Sequence, residues 1–325
     1  MADRILIIGA GIAGLSAARV LHQAGKDVLI LDKGRRIGGR VSTRRADGFT
    51  FDHGAQFFTA HQRPLADLCE AGIASGMLKS WERPNGKTAI IGADMMRDLP
   101  HWLARLADGT ELPIEQTAEV AQITQTDNGI CLFDKTGTSL GEAEQLIITA
   151  PAPQTKILLK EVAPELSQTA ASASYDPCWT VMLGLSSDKP NPLPQIEAPD
   201  EDISFAADSR ARRPQNGAMP GLILQASARW SRAHLEETPD KVIDRLCTLY
   251  KAHLEKQASH YDMPEITYAA AHRWRYAKLA IAANTDLPRS SLSGRIHLAG
   301  DWLVAPRIEA AFMSGIDAAH AALDV

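Results

Sequence analysis

Ile5-Leu6-Ile7-Ile8-Gly9-Ala10-Gly11-Ile12-Ala13-Gly14 opens the chain and decides its fold. Arg4 to Ile8 is a short, continuous apolar run of the kind a strand buried on both faces shows. Three glycines at G-x-G-x-x-G spacing follow. From Ala13 to Ala24 the apolar residues Leu15, Ala18 and Leu21 return at helical spacing, and Gly25 is placed to end that helix. Asp27 to Leu31 is a second run rich in leucine and β-branched residues, and it ends at Asp32, 18 residues after Gly14. Glycines at this spacing are a weak signal alone. Strand before, helix after and acid at the end of the next strand supply the context that a dinucleotide-binding fingerprint requires. Gly9 permits the tight turn, Gly11 lets the backbone approach a pyrophosphate, and Gly14 lets the helix pack on the strand. The helix start at Ile12 and Ala13 then turns its free N–H groups and positive dipole end toward the phosphates. Asp32 is the acceptor for a ribose hydroxyl. One such βαβ unit needs a right-handed crossover and a parallel sheet.

The rest of the composition narrows the class. A chain of 325 residues allows one large domain or two ordinary ones. With 45% apolar and 22% charged residues it has enough apolar surface for a sizeable core, which excludes disorder and a disulfide-stapled miniature. The net charge of -5, with no block of five or six like charges, argues against a general nucleic-acid binder. Cys69, Cys131, Cys178 and Cys247 lie 62, 47 and 69 residues apart, so neither a zinc site nor a C-x-x-C redox centre is expected, and a reducing, cytoplasmic compartment is. No metal is expected. Asp3 and Arg4 precede only four apolar residues, which does not make a secretory signal, and no run of 18 apolar residues predicts a membrane span.

Further along, the pattern predicts a helix over 95–106 and short strands over 119–126, 129–134 and 145–149. A helix over 155–173, a strand over 222–227, a helix over 240–256, a strand over 295–299 and a closing helix over 309–323 follow. The stretch 187–220, rich in Pro, Asp, Asn and Arg, reads as an irregular excursion.

Four features beyond the fingerprint point to a flavin dinucleotide. Lys33-Gly34-Arg35-Arg36-Ile37-Gly38-Gly39-Arg40 offers a second close backbone approach at Gly39 and a phosphate-neutralising Arg40. Phe51-Asp52-His53-Gly54-Ala55-Gln56-Phe57-Phe58 is a small-residue turn between apolar segments. Ile296-His297-Leu298-Ala299-Gly300-Asp301 is a late strand ending in Gly-Asp, and Pro306-Arg307-Ile308-Glu309-Ala310-Ala311 starts a helix rich in small residues. In this order the segments resemble the FAD-dependent amine oxidoreductase superfamily of the monoamine oxidase and phytoene desaturase type. Within it the chain is most similar to the renalases, through Gly54-Ala55-Gln56-Phe57, Ile91-Gly92-Ala93-Asp94-Met95, Leu222-Ile223-Leu224-Gln225, Trp274-Arg275-Tyr276 and Ala282-Ala283-Asn284.

The resemblance implies an α/β fold: a Rossmann-like FAD-binding domain, a parallel sheet with a β-meander, interleaved with an α+β substrate domain. The FAD domain is expected over 1–60, 88–153 and 280–325, and the substrate domain over 61–87 and 154–279. The implied cofactor set adds Lys33, Ala55, Gln56, Phe57, Val120, Gly300, Asp301, Ile308 and Glu309 to the fingerprint. Asp301 would meet the ribityl chain, and the backbone N–H groups of Ala310 and Ala311 would stabilise the anionic pole of reduced flavin.

One departure is informative. Where the monoamine oxidase pattern has a tyrosine two residues before the helix glutamate, this chain has Arg307, which suits a carboxamide, phosphate or flavin carbonyl better than a protonated amine. No cysteine lies in 303–308, so the FAD is expected to be non-covalent. The renalase resemblance implies hydride removal from 2- or 6-dihydro isomers of NAD(P)H, with oxygen as electron acceptor and no membrane or nucleic-acid partner. Trp274 would be a stacking wall, Gln225 a carboxamide partner, and Tyr175 and Trp179 neighbours of the substrate ring; the rival reading is a core residue, the commoner role of a Trp or Tyr in a strand. His53 and His272 lie beside motifs but receive no catalytic duty. A small-amine oxidase or desaturase, and a flavin- or nucleotide-binding protein without turnover, are the alternatives.

Overall fold

The apolar run Arg4–Ile8 becomes the centre of a five-stranded parallel sheet. In a computed structural model describing residues 4–126, 129–186, 191–193, 195–198, 201–213, 219–258 and 262–324, its strand order is Ile296–Leu298, Gln145–Ile148, Arg4–Ile8, Asp27–Asp32, Ile114–Gln116. Alternation along the central strand feeds two cores. Ile5 and Ile7 join the layer formed by helices Ile12–Gln23 and Ile308–Leu323. Leu6 and Ile8 join a layer that includes the three-stranded antiparallel meander Gln122–Thr126, Gly129–Phe133, Ser139–Ala143. A strand covered on both faces has no polar side to show, hence its unbroken apolar sequence. The two helices touch closely: Ser16 donates its hydroxyl to the carbonyls of Ala13 and Phe312 at 2.9 and 2.8 Å.

A second sheet is antiparallel, in the order Gln195–Glu197, Ile203–Asp208, Gly221–Ala226, Ser174–Leu185, Ile266–Ile281. Period-2 alternation again sorts its side chains. Trp179, Val181, Leu183, Leu222 and Leu224 pack against Val242, Leu246 and Tyr250 of the helix Pro239–Gln257. Met182 and Ile223 face the other way, onto Phe49 and Phe51 of the hairpin Thr43–Ala46/Phe49–Asp52. That second face carries the side chains that matter for function.

Three sequence expectations are corrected. The helix expected over 95–106 is shortened to Asp98–Ala104, because the Asp98 carboxylate accepts the N–H groups of Asp94 and Met95 at 2.7 and 2.9 Å and holds that stretch as a turn. The helix expected over 155–173 is two, Ala152–Leu159 and Pro164–Ala171, since Pro164 cannot continue a helix but is well placed to begin one. The excursion over 187–220 contains regular structure among the described residues: strands Gln195–Glu197 and Ile203–Asp208 and a one-turn helix Ser209–Arg212. Positions 187–190, 194, 199–200 and 214–218 lie outside the described residues.

Candidate functional site

The two glycine loops meet. Gly9 adopts φ 105°, and a β-carbon on Gly14 would sit 1.9 Å from the Gly9 carbonyl oxygen, which is why the helix can lie on the strand only with glycine there. A β-carbon on Gly11 would meet nothing within 4 Å among the described residues, so this edge of the loop stays open. Gly38 donates its N–H to the Ala10 carbonyl at 2.8 Å, and a β-carbon on Gly39 would lie 3.6 Å from the Gly11 Cα. Asp32 ties both loops together: its carboxylate accepts Ala10 N–H at 2.5 Å and Gly34 N–H at 2.6 Å. Each oxygen keeps a further lone pair for a ribose hydroxyl. Lys33 donates to the Gln154 side-chain carbonyl at 3.1 Å on the surface, and Val120 is buried in the core beside Leu31.

Arg40 and Asp301, singled out separately in the sequence, form one bidentate ion pair, Nη1–Oδ2 2.9 Å and Nη2–Oδ1 2.5 Å. Both therefore carry a partner other than the phosphate and ribityl groups expected of them. The Arg40 guanidinium also lies 5.5 Å from the centroid of the Tyr175 ring, and Tyr175 meets Tyr276 edge-on at 5.8 Å. Burial, then the neighbouring Asp301, pushes the Tyr175 phenol well above its ordinary range, so it stays protonated. Gly300, at φ 148°, takes a backbone conformation that a side chain would strain.

At the closing helix the expectation needs revision by one residue. Ala311 N–H already bonds to the Arg307 carbonyl at 3.1 Å, so it is not free. The N–H groups of Ile308, Glu309 and Ala310, the first turn, have no partner among the described residues. The Glu309 side chain is engaged within the protein: its buried carboxylate accepts the N–H groups of His61 and Gln62 at 2.5 and 2.7 Å, joining this helix to the start of helix Arg63–Ala74. Arg307 caps the helix, exposed, with no side-chain partner among the described residues.

Trp274 and Gln225 converge on the turn His53–Gln56. Trp274 donates its indole N–H to the His53 carbonyl at 2.9 Å, and Gln225 its amide to the Gly54 carbonyl at 2.8 Å. Ala55 donates its N–H to the Arg40 carbonyl at 2.9 Å, tying the turn to the second glycine loop. Register explains the convergence, because His272 and Gln225 both pair with Thr180, and Trp274 lies two residues beyond His272 on the same face. Trp274 stacks on His53 at 5.4 Å and meets His272 edge-on at 4.3 Å. Trp179 is not part of this group: it points to the opposite face, almost fully buried against the helix Pro239–Gln257, with its indole N–H on the His234 carbonyl at 3.0 Å. Here the core reading of an aromatic residue wins.

The sequence reading gave His53 and His272 no duty, yet both sit in this group. Burial, and then the proximity of His272, lowers His53 to about 4; burial and Arg44 lower His272. Both are neutral imidazoles at pH 7.

Beneath the turn lies a cluster that the sequence reading missed. Asp52, buried, accepts Thr43 Oγ1 at 2.6 Å, Met96 N–H at 2.9 Å and Arg213 Nη1 at 2.8 Å, with Arg212 Nη2 at 3.7 Å. Burial alone would raise this carboxyl; Arg213 and Arg212 hold it below its ordinary range. Arg212 donates Nη1 to the Gln56 carbonyl at 2.5 Å. Asp52 stands beside a legible motif, but Arg212 and Arg213 come from a polar stretch without periodicity, so no pattern signalled them. Among the described residues no group of three His, Cys, Asp or Glu side chains could hold a metal, and no helix is long and apolar enough to cross a membrane.

Comparison with known proteins agrees with this geometry. Residues 7–71 match the NAD(P)-binding Rossmann-like domain, and residues 77–323, more than half of the chain, match the flavin-containing amine oxidoreductase family. A stretch of 112 residues is 46% identical to the carotenoid 3,4-desaturase of Haloarcula japonica, covering 34% of this chain and 20% of that protein, so the match spans about a fifth of the relative's own length. Two solved structures share the fold across the whole chain. A candidate protoporphyrinogen oxidase from Exiguobacterium sp. 255-15 has a TM-score of 0.77 at 16% identity, with 100% of each chain covered. Cyclohexylamine oxidase from Brevibacterium oxydans has 0.63 at 16% identity, with 99% of each covered.

Proposed function

Because the chain belongs to the flavin-containing amine oxidoreductase family, with FAD as its cofactor, we propose that it is an oxidase of misreduced dihydronicotinamide dinucleotides, returning them to NAD(P)+ with oxygen as acceptor. The residues present fit FAD. The open edge at Gly11, with Gly9, Ile12, Ala13, Gly14 and Gly39, would cradle the pyrophosphate, and Asp32, with Lys33 beside it, the adenosine ribose. Asp301, held by Arg40, and the free N–H groups of Ile308, Glu309 and Ala310 would meet the flavin end. When bound, FAD supplies the two-electron acceptor for the substrate hydride and the route of those electrons to oxygen.

The observation that carries the substrate reading is the neutrality of the group at the turn. His53, His272, Trp274 and Gln225 include no carboxylate, and the two imidazoles are uncharged at pH 7. A dihydropyridine becomes aromatic by losing hydride alone, so it requires no base. The protein's share is orientation: Trp274 as a wall for the ring, Gln225 and Tyr175 as polar neighbours, and Arg307 at the helix start for a phosphate or carboxamide. Four cysteines without disulfides suit a reducing compartment such as the cytoplasm.

A second reading, oxidation of a small amine or desaturation, is favoured by the names of the relatives and by His53, a neutral imidazole able to take a proton. Anaerobic mixing separates the two readings. The 6-dihydro isomer of NADH should bleach the flavin absorbance within seconds; bleaching by simple amines with none by the dinucleotide would overturn the first reading.

A further inference from the structure

Three carbonyls of the turn are held by side chains from outside the parallel sheet: His53 by Trp274, Gly54 by Gln225 and Gln56 by Arg212 at 2.9, 2.8 and 2.5 Å. A planar trans peptide points its carbonyl and the following N–H in opposite directions. Behind the first two carbonyls, the N–H groups of Gly54 and Ala55 bond back to the Ser42 and Arg40 carbonyls at 3.3 and 2.9 Å. Behind the third, the Phe57 N–H has no partner among the described residues, and neither has the Gln56 N–H.

We propose that Arg212 is a positioning residue: by holding the Gln56 carbonyl it sets the plane of the Gln56–Phe57 peptide, so that the Phe57 N–H is presented to an acceptor atom of the flavin ring. Arg212 is suited to this because it is itself fixed. Its side chain is buried, its second nitrogen lies 3.7 Å from Asp52, and Asp52 is in turn held by Thr43, Met96 and Arg213. Replacing a buried ion pair by an apolar side chain of similar size is often neutral for stability, so the cluster contributes orientation more than net stabilisation. Arg212→Met leaves Asp52 paired with Arg213, and no carboxylate is stranded. A hydrogen bond to the flavin ring that strengthens as the ring gains negative charge favours the reduced cofactor.

The test needs no substrate, so it stands apart from the substrate reading. FAD-loaded wild type, Arg212→Met and Arg212→Lys are titrated with dithionite against an indicator dye. Arg212→Met should lose about tenfold in its preference for the reduced cofactor, about 30 mV for a two-electron couple, with a shifted visible flavin band. Arg212→Lys, which keeps one donor toward the carbonyl, should stay within about twofold of wild type. Unchanged potential and spectrum in Arg212→Met, with only a lower Tm, would overturn the proposal. If that variant fails to fold or load, hydrogen exchange of the wild-type holoenzyme decides: the Phe57 amide should be protected, and exchange at the rate of an open chain overturns it.

Discussion

Gly14 has no room for a β-carbon, which would lie 1.9 Å from a backbone oxygen that cannot move without unseating the first strand. Gly14→Ala should destabilise the protein by about 1–3 kcal/mol and lower its FAD content; unchanged thermal unfolding and full loading would contradict this. His53 gives a pH signature with a definite sign. Its folded pKa of about 4 lies below the ordinary 6.5, so the unfolded chain takes up the proton first. Stability is then lost as pH falls from about 6.5 toward 4, at up to about 1.4 kcal/mol per pH unit, with no further loss below. His53→Gln keeps the backbone carbonyl that accepts from Trp274, and its unfolding curve should be flatter in that window; parallel curves for the two proteins would refute the assignment. At this scale the glycines were legible because backbone geometry dictates them within a few residues. The Arg40–Asp301 and Arg212–Gln56 contacts were not, since each joins positions far apart in sequence that only the assembled sheets bring together.

Among the elements, the closing helix Ile308–Leu323 depends on Glu309 to meet the start of helix Arg63–Ala74. Glu309→Ala removes a charged acceptor from two part-buried N–H groups, and a loss of about 1.5–3 kcal/mol is expected in urea unfolding. Glu309→Gln keeps an oxygen there and should cost less; equal losses would place the effect in helix packing instead. The first βαβ unit, the meander and the closing helix could be read because each shows one uninterrupted period. The two longest strands could not be delimited. Ser174–Leu185 carries Asp176-Pro177, a turn signal, and then an apolar run covered on both faces. Ile266–Ile281, at the sheet edge, carries Arg273, Arg275 and Lys278, whose charges mask the alternation. The Trp274 face was therefore recognisable only by resemblance.

For the molecule as a whole, the parallel sheet joins Arg4–Ile8 to Ile296–Leu298 through Gln145–Ile148, and the candidate cofactor contacts run from Gly9 to Ala310. The division into an FAD unit (1–60, 88–153, 280–325) and a substrate unit (61–87, 154–279) is our proposal, with the His53–Gln56 turn as the place where the two would meet. That turn offers a reacting ring neutral aromatic and amide groups, and the account stands on hydride removal without a base. Stopped-flow reduction of the flavin by the saturating 6-dihydro isomer of NADH, run anaerobically on wild type and on His53→Gln, tests this directly, because His53, lowered to about 4, is already free to take a proton at pH 7. The account expects the two rate constants to agree within about twofold. A fall of about a hundredfold or more in His53→Gln, the mark of a lost general base, or no reduction of either protein, would contradict it.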